Sequence, residues 1–555
     1  DCLDGAAMTT RTDRRFAIGS ATLSLLVAFY LLAVFNLAFW RHALIGFGGV
    51  NAAFLAFSAA LTLLTIAGMV ALSVKYLIKP FLIFLLISGA IASYYADVFG
   101  IVIDREMMRN VVVTTPQEAK HLITPQFFLH VLFYGVVPSL LVALVRVRHR
   151  RFLGKLVHNS AIVVVSLVLA AGLILSHFAA IASTVREHHE MMARINPFGP
   201  MSAAINLGIM TYDELTLVRR PIGTDAHVGP LVASSSRPVV TVIVAGETAR
   251  SMNFSLNGYA RPTNPELAAL DVLNFTHTTS CGTETAVSLP CMFSVYPRVD
   301  YTDRKGRSTD SLIDILDHAG IDAYWWDNNT GSKGVADRVS YESFNDAKDA
   351  RYCREGECDD GIFLDRLDAK LAGITRNTTI VLHQIGSHGP SYFLRYPEAF
   401  ERFQPACHTA QLTDCSPQEI VNAYDNTVLY TDHFLASVIG LLQKNAARID
   451  GAMIYMSDHG ESLGENGLYL HGAPYALAPE QQTHVPFVAW FTDGFASRTG
   501  LSLSCLRAKA DAPMSHDNLF HTVLGLMNIE TSVYDGALDA FASCRAPSGN
   551  APLQS

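Results

Sequence analysis

Five long apolar stretches precede residue 185, and this feature constrains the fold more than any other. They lie at Phe16–Trp40, Phe47–Val74, Leu77–Ile101, Phe127–Val147 and Leu156–Ile181. Each has roughly 20 residues or more, the length that an α-helix needs to cross the hydrocarbon of a bilayer. A cleavable signal peptide has a shorter apolar region and would not be followed by four more. We therefore expect a transmembrane domain with five spans in residues 1–183.

Basic residues between the spans indicate how the chain crosses the membrane. They precede the first span and lie between the second and third and between the fourth and fifth: Arg11, Arg14, Arg15, Lys75, Lys79, Arg146, Arg148, Arg150, Arg151 and Lys155. Cytoplasmic loops have such an excess of lysine and arginine. We expect a cytoplasmic N-terminus, and five crossings would then put the chain after about residue 185 outside. Residues 1–7, which precede Met8, are left out of the fold prediction.

Eight of the nine cysteines follow residue 237. An even number of cysteines in a domain that faces an oxidising compartment predicts disulfides. Local spacing favours the pairs Cys281–Cys291, Cys353–Cys358 and Cys407–Cys415, and leaves Cys505 and Cys544 bonded to each other or unpaired. Zinc binding by these cysteines is the less favoured alternative, because no C-x-x-C motif is present.

A bridging segment is predicted over residues 184–237. Thr184–Leu217 has the amphipathic pattern of a helix that lies along a membrane surface, although a solvated linker helix would fit the same pattern. Arg220–Pro238 contains proline, glycine and serine in the density typical of a domain boundary. The remaining domain would cover residues 238–555.

From Val239 onward, apolar β-rich stretches alternate with helical ones. The predicted strands are Val239–Ala245, Ala323–Trp326, Thr379–His383, Gly451–Met456 and Val485–Phe491, and the predicted helices include Ser308–Ala319, Gly361–Leu371, Ile420–Gln443 and Asn518–Met527. Such alternation is typical of a mostly parallel sheet with helices on both faces. Ligands bind such sheets at the carboxyl ends of the strands. We expect the polar groups that follow these strands to form one site, and they are Glu247, His383, His388, Asp458 and His459.

Thr285 and three of these groups can form one metal-activated nucleophile. Thr285 opens a predicted helical turn, where backbone N–H groups and the helix dipole favour an arriving phosphate. A threonine hydroxyl attacks poorly at neutral pH unless a metal or a base activates it. Glu247, Asp458 and His459 are ligands suited to zinc. In the plainer interpretation Thr285 is a helix N-cap and Asp458-His459 is a turn.

The segment Cys281–Ser294 closely resembles the nucleophile motif of the membrane-bound phosphoethanolamine transferases. These are lipid A-modifying enzymes of the alkaline phosphatase/sulfatase superfamily and are associated with polymyxin resistance. The resemblance covers essentially the whole chain and continues in Trp326–Asn329 with Lys333, His383–Pro390, Ser457–Glu465 and His471–Gly472. It implies an N-terminal five-helix transmembrane bundle and a C-terminal α/β domain of the alkaline phosphatase/sulfatase type, with a mostly parallel sheet flanked by helices.

The resemblance also implies roles for individual residues. Glu247, Thr285, Asp458 and His459 would bind one catalytic Zn²⁺, with Thr285 as the nucleophile. Further residues would contact the phosphate or a second zinc ion: Asn329, Lys333, His388 and His471. Of these, Lys333, His388 and His471 would also assist catalysis. His383 would contact substrate or serve as a structural hydrogen-bond partner. Asn110 and Glu118 would meet the lipid donor, unless they belong to a solvated loop.

The implied reaction is transfer of phosphoethanolamine from phosphatidylethanolamine to a phosphate of lipid A, through a covalent phosphothreonine. It would lower the negative surface charge of a bacterium and give polymyxin resistance, with the catalytic domain in the periplasm and the spans in the inner membrane. We expect a monomer whose partners are membrane lipids, with no nucleic acid.

Other activities are compatible with the same residues. Transfer to a core sugar or a protein, phosphoglycerol transfer, and phosphatase activity remain alternatives. A sulfatase is disfavoured, because neither Cys281 nor Cys291 stands in a C/S-x-P-x-R context. From a different class, a membrane-anchored binding module without catalysis is the remaining hypothesis.

Overall fold

A computed structural model describes residues 17–99, 102–103, 107–108, 125–188, 190–410, 412–465, 468–473 and 475–546. The chain divides into two compact units, Asp1–Thr216 and Leu217–Ser555. Each unit is described by itself below. The finer division into residues 1–183, 184–237 and 238–555 stays a prediction.

The first unit is helical. Its helices are α1 (Ser20–Val34), α2 (Leu37–Gly46), α3 (Ala52–Ala71), α4 (Ile78–Phe99), α5 (Pro125–His130), α6 (Val137–Leu144), α7 (Phe152–Ser176), α8 (Phe178–Glu187), α9 (Glu190–Ala193) and α10 (Phe198–Thr216). A π-helical turn, Val131–Val136, joins α5 to α6. A short parallel pair is formed by β1 (Ala17–Gly19) and β2 (Arg146–Arg148).

Among the described residues, four helical segments are long and apolar enough to cross a membrane, and a bent pair makes up to five. The four are α3, α4, the continuous run Pro125–Leu144 and α7. On α7, only 11% of the apolar window is buried, and Val157, Val168 and Leu175 are each more than 60% exposed. Such an apolar outer surface fits contact with lipid. The predicted bundle of spans is confirmed.

The predicted first span differs from a straight helix, because α1 and α2 meet at 67°. Asn36 lies at the break and is fully buried. Its Nδ2 donates to the carbonyl oxygens of Leu31, at 2.9 Å, and Asn196, at 2.8 Å, and its Oδ1 accepts from the Asn196 N–H at 2.8 Å. The two asparagines therefore satisfy polar groups that the break would otherwise leave unpaired in an apolar interior.

The second unit alternates strands and helices. Its strands are β3 (His227–Val228), β4 (Val239–Gly246), β5 (Leu273–Thr279), β6 (Asp322–Asp327), β7 (Ser340–Ser343), β8 (Cys353–Arg354), β9 (Glu357–Cys358), β10 (Thr378–His383), β11 (Asp450–Ser457), β12 (Ser462–Leu463), β13 (Tyr469–Leu470), β14 (His484–Phe491), β15 (Met514–Ser515) and β16 (Ile529–Glu530). Its helices are α11 (Pro230–Ala233), α12 (Pro265–Ala269), α13 (Thr285–Met292), α14 (Asp303–Ser308), α15 (Leu312–His318), α16 (Ile362–Ala372), α17 (Pro417–Asn445), α18 (Glu480–Thr483), α19 (Asp493–Thr499), α20 (Leu503–Ala508) and α21 (Leu519–Leu526).

Eight strands form one sheet, in the order β15-β5-β14-β11-β4-β10-β6-β7. All neighbours are parallel except β14, which runs antiparallel to both β11 and β5. The predicted mostly parallel sheet is confirmed. All five predicted strands are present, and β5, which lies next to the edge strand β15, is a strand that the sequence did not predict.

Helices cover both faces of this sheet because its central strands are apolar on both sides. In β4, Val239, Ile243 and Ala245 belong to one buried cluster, together with apolar residues of α15 and α21. The intervening Val240 and Val242 belong to a second cluster, together with α16 and α17. Successive side chains of a strand point to opposite faces, so one continuous apolar run serves two cores.

Candidate active site

Four parallel strands end at the same edge of the sheet and supply the polar residues of the candidate site. Glu247 directly follows β4, and Asp458 and His459 directly follow β11. β10 ends with His383 and β6 with Asp327. The register sets the ends of these four strands side by side. The edge is the one at which open α/β sheets bind ligands.

Glu247, Asp458 and His459 form a group that could hold a metal ion, and we call it the metal group. One ligand atom from each lies within 4.8 Å of the others. His459 Nε2 is 3.3 Å from Glu247 Oε1 and 3.5 Å from Asp458 Oδ2. The other ring nitrogen of His459, Nδ1, lies 2.9 Å from the carbonyl oxygen of Gly460. This contact favours the tautomer with hydrogen on Nδ1 and the lone pair on Nε2.

The donor set of the metal group fits a divalent cation. All three side chains are buried, and Asp458 Oδ2 has no hydrogen-bond partner among the described residues. A carboxylate oxygen in a protein interior is costly unless a cation or a hydrogen bond balances it. Two carboxylates and one imidazole are ligands that zinc accepts, and a threonine oxygen or substrate could complete four positions.

The metal group contains two carboxylates and only one imidazole, and the pKa values of the three side chains are shifted accordingly. Burial and the neighbouring Glu247 raise the pKa of Asp458 to about 6. Burial would lower the pKa of His459, but the two carboxylates outweigh it and raise that pKa to about 10. For Glu247, burial is opposed by the hydrogen bond and charge of His459, which hold the pKa well below its ordinary value. A proton on His459 thus supplies the positive charge that a metal would bring.

Thr285 contacts the metal group through its hydroxyl. Its Oγ1 donates to Glu247 Oε2 at 3.0 Å and lies 3.3 Å from His459 Nε2. Thr285 is the first residue of α13, and Glu284 occupies the N-cap position. The alternative in which Thr285 caps this helix is therefore wrong. The hydroxyl lies instead where a metal held by the group would contact it.

A disulfide and a serine fix the segment that contains Thr285. Cys281 and Cys291 are bonded across it, with their Cα atoms 6.1 Å apart. Ser288 on α13 accepts from the Gly282 N–H at 3.1 Å and donates to the Asp458 carbonyl oxygen. The nucleophile segment is thereby joined to the end of β11. The other disulfides are Cys353–Cys358, Cys407–Cys415 and Cys505–Cys544.

Two further histidines border the metal group. The ring centroid of His471 is 4.4 Å from that of His459 and 5.6 Å from that of His388. His471 Nδ1 lies 3.3 Å from Oε1 of Glu461, which is fully buried. Desolvation lowers the pKa of His388 to about 4, although the charge of Glu247 opposes this shift. His388 is therefore a neutral imidazole at pH 7, able to donate or accept one proton.

Asn329 and Lys333 lie on the loop that follows β6. Asn329 Nδ2 donates to Glu247 Oε2 at 2.7 Å and to the Gln384 carbonyl oxygen at 2.8 Å. It therefore helps to orient a carboxylate of the metal group. Lys333 has a positive φ of 52°, and its Nζ donates to the Thr330 carbonyl oxygen at 2.6 Å. Its predicted contact with a substrate phosphate stays a prediction.

His383 and Asp327 form a second buried pair at the same sheet edge. His383 Nδ1 is 2.8 Å from Asp327 Oδ2, and Asp327 also accepts from Trp325 Nε1 and from the N–H groups of Asn329 and Gly331, each at 3.0 Å. His383 lies outside the group of converging metal ligands in the described structure. The contacts of Asp327 shape the turn from which Asn329 reaches Glu247.

Asp360 fixes the loop that leads to His388, and the sequence did not predict this role. Its carboxylate accepts from the N–H groups of Ile385 and Gly386, each at 2.9 Å, and from Asn328 Nδ2 at 3.0 Å. Gly386 has a φ of 50°, and a Cβ atom there would come 2.6 Å from the Glu247 carbonyl oxygen. Only glycine fits this approach. The roles of Asp327 and Glu461 were also missed, although both residues lie within the motifs that carried the resemblance.

A cavity of about 670 Å³ borders the segment that precedes Thr285. Its lining includes Glu284, Arg298, Tyr475 and the backbone of Gly472. The Arg298 guanidinium lies 3.4 Å from the centroid of the Tyr475 ring. The cavity therefore offers space for a ligand next to Glu284, the residue that precedes Thr285. Asn110 and Glu118, the predicted donor contacts, lie outside the described residues.

Comparisons with known proteins agree with this architecture. Residues 60–211 match the family model described as phosphoethanolamine transferase EptA/EptB, and residues 240–529 match the sulfatase model. The chain is 37% identical over 552 residues to the phosphoethanolamine transferase EptA of Escherichia coli K12, covering 97% of this chain and 99% of the relative. It is 38% identical over 469 residues to the phosphatidylethanolamine transferase Mcr-1 of Escherichia coli, covering 82% and 85%.

A solved structure is similar over nearly the whole chain. It is the integral membrane lipooligosaccharide phosphoethanolamine transferase A of Neisseria meningitidis, with a TM-score of 0.65 at 35% identity. The match covers 96% of this chain and all of the other. The similarity therefore includes both the helical unit and the α/β unit.

Proposed function

The chain belongs to the EptA-type phosphoethanolamine transferases, and on that premise we propose that it transfers phosphoethanolamine from phosphatidylethanolamine to a phosphate of lipid A. Similarity to a phosphatidylethanolamine transferase supports the donor, and similarity to a lipooligosaccharide phosphoethanolamine transferase supports a lipid-linked sugar as acceptor. The observation that carries the proposal is the position of Thr285 Oγ1, 3.0 Å from Glu247 Oε2 and 3.3 Å from His459 Nε2.

The proposed cofactor is zinc, held by Glu247, Asp458, His459 and the oxygen of Thr285. When bound, it would lower the pKa of the threonine hydroxyl and neutralise charge on phosphoryl oxygens. Asp458 Oδ2, which is buried and accepts no hydrogen bond from the described residues, supports this assignment. One ion is sufficient for these four ligands, and a second would have His388 and His471 available.

In the first proposed step, a bond forms between Thr285 Oγ1 and the donor phosphorus, and the bond from phosphorus to the diacylglycerol oxygen breaks. The leaving oxygen takes up a proton, and the product is a phosphoethanolamine ester of Thr285. In the second step, a phosphate oxygen of lipid A attacks the same phosphorus, and Thr285 Oγ1 leaves and is reprotonated. His388 and His471 border the site and would exchange these protons. Asn329 would keep Glu247 in position throughout.

The consequence for the cell would follow from charge. Each transferred group adds an ammonium to a phosphate of lipid A, so the net negative charge of the surface falls. Cationic polymyxins would bind such a surface more weakly. This account supports polymyxin resistance as the biological role.

The proposed topology places the spans in the inner membrane and the α/β unit in the periplasm. Four disulfides support an oxidising environment for that unit. The proposal includes the predicted domain boundaries at residues 183 and 237 and a monomeric state. A cysteine placed at Arg150 should resist an impermeant reagent added outside intact inner membrane vesicles of native orientation, and its labelling would contradict the topology.

Mass spectrometry of lipid A tests the reaction. Cells that produce the wild-type chain should gain the mass of phosphoethanolamine on lipid A. Thr285→Ala should abolish the gain, whereas Thr285→Ser, which retains a hydroxyl, should keep part of it. A gain that persists in Thr285→Ala would contradict the proposal. A phosphoglycerol increment instead would establish the alternative transferase.

A further inference from the structure

A pocket of about 490 Å³ lies in the first unit, between the C-terminal end of α3 and the N-terminal end of α7. Its lining combines basic, polar and aliphatic side chains: Ser73, Lys75, Lys155, Leu156, Asn159 and Val164. It is formed within the helical unit alone and contains none of the residues assigned to the transfer reaction.

Positive charge at this end of the bundle has no acidic counterpart in the sequence. Residues 71–79 and 144–155 contain seven lysines and arginines and no aspartate or glutamate. A neighbouring cavity of about 350 Å³ shares Lys75 and is also lined by Lys79, Arg146 and His149. Unbalanced basic side chains at a membrane surface attract anionic headgroups.

The polar lining is held in place by hydrogen bonds. Lys155 Nζ donates to the Ser73 carbonyl oxygen and lies 3.1 Å from His149 Nδ1. Asn159 Nδ2 donates to Ser73 Oγ at 2.9 Å. An ammonium has three donors, so these two contacts leave Lys155 one donor for a ligand. A fixed cation loses little conformational entropy when an anion arrives.

The rest of the pocket wall is aliphatic and continues along α7. Leu156 is 54% exposed and Val164 is 57% exposed. This side of α7 has the composition of a lipid-facing surface. A ligand that fills the whole pocket must therefore have a negatively charged group to contact Lys75 and Lys155. It must also have a hydrocarbon chain to contact Leu156 and Val164 on α7.

We propose that this pocket binds one anionic glycerophospholipid, with its headgroup phosphate between Lys75 and Lys155 and an acyl chain along Leu156 and Val164. The net negative charge distinguishes this ligand from zwitterionic phosphatidylethanolamine, the donor of the proposed reaction. The topology proposed above puts the pocket at the cytoplasmic surface. The lipid would join the ends of α3 and α7 without taking part in the chemistry.

Native mass spectrometry of the full-length chain in neutral detergent tests this inference. The protein is mixed with phosphatidylglycerol, phosphatidylethanolamine or phosphatidylcholine with identical acyl chains. Phosphatidylglycerol should bind at least about tenfold more tightly than either zwitterionic lipid, since the ammonium groups of Lys75 and Lys155 face its phosphate and its headgroup has no positive charge to repel them. Equal retention of the three lipids would overturn the proposal. Inorganic phosphate should not displace the lipid at equal concentration, and displacement would show that the site takes free phosphate instead.

Matched variants locate the binding to this pocket. Lys75→Gln combined with Lys155→Gln should reduce phosphatidylglycerol binding to the level of phosphatidylcholine. Lys75→Arg combined with Lys155→Arg should retain it, because the charge is kept. The control is Lys348→Gln combined with Lys444→Gln, two exposed lysines of the second unit, and it should bind as the wild type does. Unchanged binding in the first pair would refute the assignment even if lipid selectivity is observed.

Discussion

Two carboxylate–histidine clusters lie at the same sheet edge and differ in charge balance. In the pair of Asp327 and His383, one carboxylate faces one imidazole and three further N–H donors. In the metal group, two carboxylates share the single imidazole of His459, and Asp458 Oδ2 accepts no hydrogen bond from the described residues. Both oxygens of Asp327 thus face hydrogen-bond donors, whereas the metal group contains a carboxylate oxygen that a cation would balance.

The pKa values of the two buried aspartates, Asp327 and Asp458, are shifted in opposite directions. Burial would raise the pKa of Asp327, but the hydrogen bond and charge of His383 hold it below its ordinary value. Burial and the charge of Glu247 raise the pKa of Asp458 to about 6. The comparison teaches that residue type and burial do not identify a metal site. A metal site is identified instead by the number of carboxylates relative to the hydrogen-bond donors and cations around them.

The largest expected effect is that of Asp458→Asn. This change removes a ligand charge from the metal group, so metal affinity should fall by more than about 100-fold, beyond the range seen when outer contacts of a metal site are lost. Transfer should be abolished at micromolar zinc. Metal content by inductively coupled plasma mass spectrometry checks this outcome. If Asp458→Asn kept one tightly bound metal, the two clusters would not differ as described.

His388→Ala should have the next largest effect. The imidazole borders the metal group without belonging to it, so turnover should fall by roughly 10²–10⁴-fold through loss of proton transfer while the metal stays bound. His433→Ala is the matched control, because His433 pairs with Glu266 at the surface and its loss should leave turnover unchanged. Turnover at wild-type level in His388→Ala would remove this histidine from the mechanism.

Asp327→Asn makes the same aspartate-to-asparagine change as Asp458→Asn, but in the pair of Asp327 and His383. The new amide nitrogen would face the N–H of Trp325 in one orientation and the N–H groups of Asn329 and Gly331 in the other, and each of these groups is a donor. The free energy of unfolding should therefore fall by about 1–3 kcal/mol, with metal content unchanged. Thermal unfolding and metal analysis on one sample check both points. Loss of metal in this variant would show that the pair of Asp327 and His383 is required for metal binding by the metal group.

Removal of the metal should make stability depend on pH. His459 has a folded pKa of about 10, above its ordinary value, so its contribution is complete below about pH 6.5 and is lost as the pH rises towards 10. The melting temperature of the metal-free protein should decline over this interval. With zinc bound, the imidazole is deprotonated already, and the decline should be smaller. Parallel pH profiles for the two forms would contradict the proposed exchange of proton for metal.

Sequence patterns were sufficient to predict the central strands of the sheet. They also predicted that Glu247, Asp458 and His459 lie together at one edge of it. The apolar run Val239–Ala245 predicts a strand buried on both sides, and Glu247 follows it at once. β5 was missed because Leu273–Thr279 mixes apolar with polar residues and is only partly buried. The reversed direction of β14 was equally unpredictable, because an apolar strand reads the same in either direction.

Roles that depend on distant contacts could not be read from the sequence. Asp360 accepts hydrogen bonds from the N–H groups of Ile385 and Gly386, which are 25 and 26 positions away. The sequence around Asp360 contains no pattern that predicts these contacts. The bond between Cys505 and Cys544 spans 39 positions, and spacing alone left it open. The break between α1 and α2 depends on Asn196, which is 160 positions from Asn36.

The most direct measurement is transfer to lipid A by the purified full-length chain, with its metal content determined on the same sample. We expect one zinc ion per chain, loss of turnover when a strong chelator removes it, and recovery when zinc is restored. A metal-free preparation that keeps full turnover would contradict the claim that a cation in the metal group activates Thr285.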